Sequence, residues 1–323
     1  MFRSAGLCGL LLLLCFANPV SAIVTTGSGY TGVVSGASPF LNGVNLSGVV
    51  ELITNTGIGC SGSLLSDGFS ILTAGHCVTD SYGAALPSSV SVTFLGPSGA
   101  VSETATSISV DPLWNGTSTQ GNDLAILHLS QAAPAFATGY SIFMGAPTTA
   151  PDVIAGYGYS GTGSSGADSV DYPFGTLRAG ANEYATTGSS FGWSSNLLIG
   201  QFYDVNTLSS NALGIANPYS SLDEVDIAPG DSGGPTFYDG QIVGVHDLGI
   251  CLGAVTCATP PSAGAANNSY FGELYGDTDA AASAVWIASQ VAPEPASYGL
   301  LGMGLALMAA FRYRRSAARK PRG

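Results

Sequence analysis

The chain has 323 residues and a formal net charge of −13, yet only 9% of its residues are charged and 46% are hydrophobic. That composition excludes disorder, and the length is enough to bury one large core or two small ones. Between residues 23 and 292, Arg178 is the only Lys or Arg, against 20 of the 21 acidic residues. Such a field repels phosphates and excludes nucleic acid as a partner.

Residues 1–22 read as a secretory signal. Arg3 supplies the positive start, Leu7 to Phe16 forms a short apolar run, and Val20-Ser21-Ala22 places small residues at the cleavage point. The run falls short of the roughly 20 residues that a spanning helix needs. Cleavage after Ala22 would make Ile23-Val24 the start of the mature chain.

The body reads as short strands separated by Gly, Pro, Asn, Asp and Ser. The predicted strands are Gly48–Ile53, Phe69–Thr73, Val90–Leu95, Thr106–Val110, Leu124–Leu129, Val153–Tyr157, Leu197–Tyr203 and Gln241–Val245. This pattern is that of an all-β antiparallel sandwich or barrel. Gly158 to Asp171 reads as a long surface loop. Asp277-Thr278-Asp279 reads as the start of a helix over Ala280 to Gln290, which ends before Pro293.

Beyond the signal the cysteines are Cys60, Cys77, Cys251 and Cys257. An even count in an exported chain points to two disulfides, and sequence order favours Cys60–Cys77 and Cys251–Cys257. No C-x-x-C or H-E-x-x-H spacing is present, so no metal site or cofactor is expected.

The C-terminus carries Pro293-Glu294-Pro295, the apolar stretch Ala296 to Phe311 and the basic run Arg312-Tyr313-Arg314-Arg315. This order resembles the PEP-CTERM sorting signal of exopolysaccharide-producing, mostly Gram-negative bacteria. The resemblance implies an exosortase as processing partner and the cell envelope as destination. The alternative is a simple tail anchor. Sixteen apolar residues at about 1.5 Å each span about 24 Å, short of a bilayer core of about 30 Å. Six of the eight basic residues follow the stretch, which keeps the tail cytoplasmic and residues 23–292 outside.

Three motifs carry chemistry. They are Leu72-Thr73-Ala74-Gly75-His76-Cys77, then Gly121-Asn122-Asp123-Leu124-Ala125-Ile126-Leu127, then Gly230-Asp231-Ser232-Gly233-Gly234-Pro235. Together they resemble the chymotrypsin/trypsin-like serine peptidases, whose chain order is His, Asp, Ser. The separations are 47 and 109 residues. The resemblance spans most of residues 45–290 and implies two six-stranded antiparallel β-barrels with the site between them, followed by the C-terminal helix. It implies Ser232 as nucleophile, His76 as general base and Asp123 as the group that orients the imidazole. It also implies that the N–H groups of Gly230 and Ser232 face the oxyanion. Cys60, in Gly59-Cys60-Ser61-Gly62, matches the family cysteine that bridges to the one after the histidine.

The resemblance places other residues near substrate. Val243 to Gly249 is similar to the strand that pairs with the substrate backbone, with Asp247 where the family usually has serine, and Gly249 two residues on. Asp226 stands six residues before Ser232, where trypsin-like members bind arginine or lysine. However, Ala228 replaces the cysteine expected two residues later, and the alternative is a solvated acidic loop. Asp231 resembles the aspartate that pairs with a new N-terminal ammonium, which Ile23 would supply. His128 reads as a strand residue without a catalytic role. The expected function is an exported serine endopeptidase acting on protein or peptide substrates. The alternatives are a catalytically silent binding module on the same fold and a structural exopolysaccharide-associated protein.

Overall fold

The computed structural model describes residues 23–27, 32–84, 87–146, 152–204, 211–214, 224–250 and 269–291, together with Met308. Cys251, Cys257 and the C-terminal signal lie outside the described residues. Among the described residues, no helix is long and apolar enough to cross a membrane.

The first half of the chain closes into a six-stranded barrel. Its strands, in spatial order, are Val49–Thr54, Gly59–Leu64, Ser70–Thr73, Ala125–Leu129, Gly99–Val110 and Val90–Gly96. Pairing of Val90–Gly96 back onto Val49–Thr54 completes the ring. In Val90–Gly96 every second residue is buried, the period-two pattern of a strand with one face inward. Gly59–Leu64, read from sequence as no strand at all, is glycine- and serine-rich, and small residues let its neighbours pack closely against it. A Cβ on Gly62 would lie 2.8 Å from Ile71 Cγ2.

The second half forms a curled seven-stranded sheet in the order Arg178–Asn182, Asp152–Gly156, Pro235–Tyr238, Gln241–Ile250, Leu274–Asp279, Leu197–Gln201 and Tyr184–Thr187. Its two edge strands are consecutive in the chain, separated only by Glu183. The edges are therefore the two halves of one bent strand, and the sheet curls to bring them together. It is a curled half-barrel, standing where the family resemblance implied the second barrel.

One apolar core joins the halves. It includes Val50, Leu52, Phe94 and Leu127 from the barrel, Val153, Ala155, Phe237 and Val245 from the sheet, and Ile287 from the helix. Each of the larger side chains contributes about 1.5–3 kcal/mol by leaving water.

Two expectations are corrected. Gly158 to Asp171 is not only loop: Ser160–Thr162 and Gly166–Asp168 pair as strands, and the first also takes Ile23–Thr25 as a parallel neighbour. Gly161 permits this, since a Cβ there would lie 1.9 Å from the Gly166 carbonyl oxygen. The C-terminal helix spans Ala284–Gln290, and Asp277 to Asp279 end a strand instead of capping it. Burial decided this, because Leu274–Asp279 pairs on both sides within the sheet. The helix is held to the first barrel by Ser283, whose hydroxyl donates to Asp111 Oδ2 at 3.0 Å.

Candidate active site

His76 sits in a 3-10 turn, Gly75–Cys77, directly after strand Ser70–Thr73. Asp123 is fully buried. Its Oδ2 lies 2.5 Å from His76 Nδ1, and its Oδ1 accepts the His76 backbone N–H at 2.7 Å. The carboxylate thus grips both ends of the histidine, fixing the ring and leaving Nε2 for other work. Burial lowers the basicity of His76, but the charge and hydrogen bond of Asp123 together outweigh it, and the pKa is raised. The imidazole remains accessible, with one third of the side chain exposed.

The layer behind this pair is also specific. Trp114 Nε1 donates to Thr79 Oγ1, whose own hydroxyl donates to the Gly75 carbonyl, both at 2.9 Å. Gly75 must be small, because a Cβ there would lie 2.9 Å from Trp114 Cδ1 and 3.0 Å from Asp123 Oδ1.

Ser232 is carried on the turn before strand Pro235–Tyr238. Gly233, with φ +80°, presses this turn against the histidine strand. A Cβ there would lie 2.0 Å from Thr73 Oγ1 and 2.8 Å from the Ala74 nitrogen. Gly230, at φ +98°, also occupies the left-handed region, which glycine adopts without steric cost.

Ser61 ties the two motifs together, and sequence reading did not single it out. Its N–H donates to the Ser232 carbonyl at 2.8 Å, and its hydroxyl donates to the Gly230 carbonyl at 2.9 Å. The same hydroxyl accepts the Tyr157 N–H at 2.9 Å, while the Ser61 carbonyl accepts from Thr73 Oγ1 at 2.8 Å. The neighbouring Cys60 is disulfide-bonded to Cys77, closing 17 residues around the histidine turn. Strand Gly59–Leu64 is therefore the common anchor of His76 and Ser232. Among the described residues, the N–H groups of Gly230 and Ser232 donate to no protein acceptor.

A cavity of about 220 Å³ opens beside Ser232, lined by Ile227, Ala228, Pro229, Asp247, Leu248 and Gly249. A second, of about 300 Å³, flanks Gly230 on the side of Tyr159 and Phe174. Asp226 is not in the wall of either. It is 2% exposed, belongs to the strand Val225–Asp226, and pairs with Val24. Burial and the charge of Glu273 push its carboxyl well above the usual range, against the Ile227 N–H that it accepts. His128 lies on Ala125–Leu129, in reach of the Ser70 hydroxyl at 3.4 Å.

Asp231 points inward. It accepts the N–H groups of Gly158 and Ala228, each at 2.8 Å. Burial raises it to about 6, opposed by those two bonds and by His246 and Arg178. Ile23 is buried close by: its N–H donates to the Tyr159 carbonyl at 3.1 Å, one residue beyond Gly158. Ile23 has φ +63°, a costly conformation for a β-branched residue.

Residues 33–269 match the trypsin family model, which is well over half of the chain, and the chain belongs to the trypsin family. Residues 291–315 match the PEP-CTERM protein-sorting motif. The protein is thus a trypsin-like protease domain followed by a PEP-CTERM sorting signal. No curated protein sequence matches the chain.

Proposed function

We propose that the protein is an exported serine endopeptidase that cleaves peptide bonds through an acyl-enzyme. The observation that carries this reading is the 2.5 Å His76–Asp123 pair anchored to the same strand as the Ser232 turn. In this reading His76 takes the Ser232 hydroxyl proton as the oxygen attacks the carbonyl, and returns it to the leaving amine. Asp123 holds the ring and stabilises the imidazolium. The unpartnered N–H groups of Gly230 and Ser232 receive the oxyanion, where losing one donor costs about 10²–10³ in rate.

The walls of the cavity beside Ser232 favour an apolar residue before the scissile bond. Four of its lining residues, Ile227, Ala228, Pro229 and Leu248, are apolar, and Asp226 is held behind them. Removal of residues 1–22 would free an Ile23 ammonium next to the Gly158–Asp231 bond, so that export itself completes the site. The unit 23–290 is the peptidase. Residues 291–323 are the signal that an exosortase reads, with 296–311 as its transient membrane stretch.

A fluorophosphonate probe tests the core of this reading. It should label Ser232 in the exported protein. Ser232→Ala and His76→Ala should each lower casein hydrolysis by several orders of magnitude, because the triad acts as one unit. Unchanged hydrolysis by either variant would leave the binding-module alternative.

A further inference from the structure

One buried acid beside the triad has no part in the reading above. Asp247 lies on strand Gln241–Ile250, where pairing with Leu274–Asp279 slips between His246 and Leu248. One oxygen of Asp247, one of Asp123 and a ring nitrogen of His76 all lie within 4.8 Å of one another. Asp247 is 6% exposed and Asp123 is 0% exposed. Asp247 Oδ2 accepts a long bond from Thr278 Oγ1, at 3.4 Å, Oδ1 has no close partner among the described residues, and the Ser118 hydroxyl lies in reach of the carboxyl.

The groups around Asp247 account for its charge. From the first barrel come His76, Asp123 and the 3-10 turn bearing Ser118; from the adjacent strand come Asp277 and Thr278. Asp277 is already bonded to His246 at 3.0 Å. Two buried carboxylates in contact repel, and one of them keeps its proton unless a cation intervenes. Among the described residues, no Lys or Arg side chain meets this pair. Arg178 is the only Lys or Arg between residues 23 and 292, and the charge it answers is Asp231. His76 is already engaged by Asp123.

We propose that Asp247 is a positioning residue of the triad, which keeps its proton and donates it to the Asp123 carboxylate, holding Asp123 against His76. Its catalytic meaning rests on the peptidase reading, but its chemistry does not. Burial, the charge of Asp123, the hydrogen bond to Asp123 and the charge of Asp277 all push Asp247 well above the ordinary carboxylate range, opposed only by Ser118. In this state the carboxyl pair carries one negative charge, and His76 titrates as a single base. Once Asp247 ionises in alkali, Asp123 loses a donor and His76 faces a second negative charge. The two carboxylates then repel, Asp123 is pushed from His76, and the ring is no longer held for proton transfer.

Two measurements on the full-length chain test this. In a Ser232→Ala background, the infrared spectrum at neutral pH should contain a protonated-carboxyl C=O stretch that Asp247→Asn removes. In the active chain, Asp247→Ala should lower kcat by about tenfold with KM nearly unchanged, the loss of one charge-assisted hydrogen bond. Asp247→Ser and Asp247→Asn, which each retain a donor, should recover most of that loss. Both should also shift the alkaline limb of the wild-type kcat/KM profile, leaving only the part that deprotonation of the Ile23 ammonium causes. A C=O band untouched by Asp247→Asn, or superimposable alkaline limbs, would overturn the proposal. Failure of the peptidase reading would show instead as an unlabelled Ser232, with the infrared band in place.

Discussion

At the scale of single residues, the site is decided by contacts too small for motif reading to see. Ser61 is fully buried, and its hydroxyl serves two backbone partners at once. Ser61→Ala would leave the Gly230 carbonyl and the Tyr157 N–H without that partner, at a cost of about 1–3 kcal/mol. It should also slacken the turn that aims the Ser232 N–H, so kcat should fall while KM holds. Urea unfolding and steady-state kinetics on the same variant check both halves, and a loss of stability without any loss of kcat would show that the turn holds without Ser61. His76, Asp123 and Ser232 could be singled out because their neighbours form recognisable strings, and the structure joins the first two. Ser61 was not, since a serine between a cysteine and a glycine looks like any turn residue until its four partners are seen. Asp226 shows the opposite problem. Its distance from Ser232 in sequence is the trypsin-like one, but strand pairing with Val24 turns it away from the cavity wall. Asp226→Asn should therefore leave a preference for apolar side chains before the scissile bond in a positional-scanning peptide library. A gain or loss of arginine and lysine cleavage in that variant would restore Asp226 to the pocket.

At the scale of elements, the strands read correctly from sequence are the ones with alternating or continuous β-branched residues, such as Val49–Thr54, Val90–Gly96 and Ala125–Leu129. The strands missed are those where close packing replaced propensity. Gly59–Leu64 and Arg178–Asn182 are almost wholly buried, and their small residues let neighbouring backbones approach. The helix start was misplaced because three polar residues resemble a cap. In the fold, the Asp279 side chain instead accepts the Ala281 N–H at 2.9 Å and turns the chain out of the sheet. Of these elements, Gly59–Leu64 matters most to the site, since the Cys60–Cys77 bridge joins it to the histidine turn. A bridge closing a loop of this size contributes about 3 kcal/mol in the chain-entropy model. Cys60→Ser with Cys77→Ser should lower stability by about 2–4 kcal/mol and loosen the His76 turn. Thiol counting by mass spectrometry on the unreduced protein is the direct check, and two free thiols at these positions would remove the bridge from the account.

At the scale of the whole molecule, the scarcity of cations governs how the fold answers to pH. Among the described residues the ion pairs are His76–Asp123 and His246–Asp277, and buried acids elsewhere have little positive charge to meet. Asp152 is the clearest case. It is 1% exposed, neither carboxyl oxygen has a partner among the described residues, and burial with the charges of Asp277 and Glu183 raises it to about 8. Asp226 and Glu273 move in the same direction, chiefly through burial. The sign follows from proton counts. Above about pH 4 the unfolded chain releases these protons, while the fold retains them, so the native state binds more protons and stability falls as pH rises. For Asp152 the stabilisation is complete below about pH 4 and is lost as pH climbs to its folded value of about 8. His76, also raised, adds a loss of the same sign above its unfolded value. The melting temperature should therefore decline steadily from about pH 5 to about pH 9, the reverse of proteins whose carboxylates are held ionised by salt bridges. Asp152→Asn, which keeps a polar group of the same shape but cannot ionise, should flatten the part of the decline that this residue causes. Calorimetry of both proteins across that range decides the matter. A melting temperature that climbs toward alkaline pH would mean that the buried acids are ionised in the fold, and that cations from outside the chain are neutralising them.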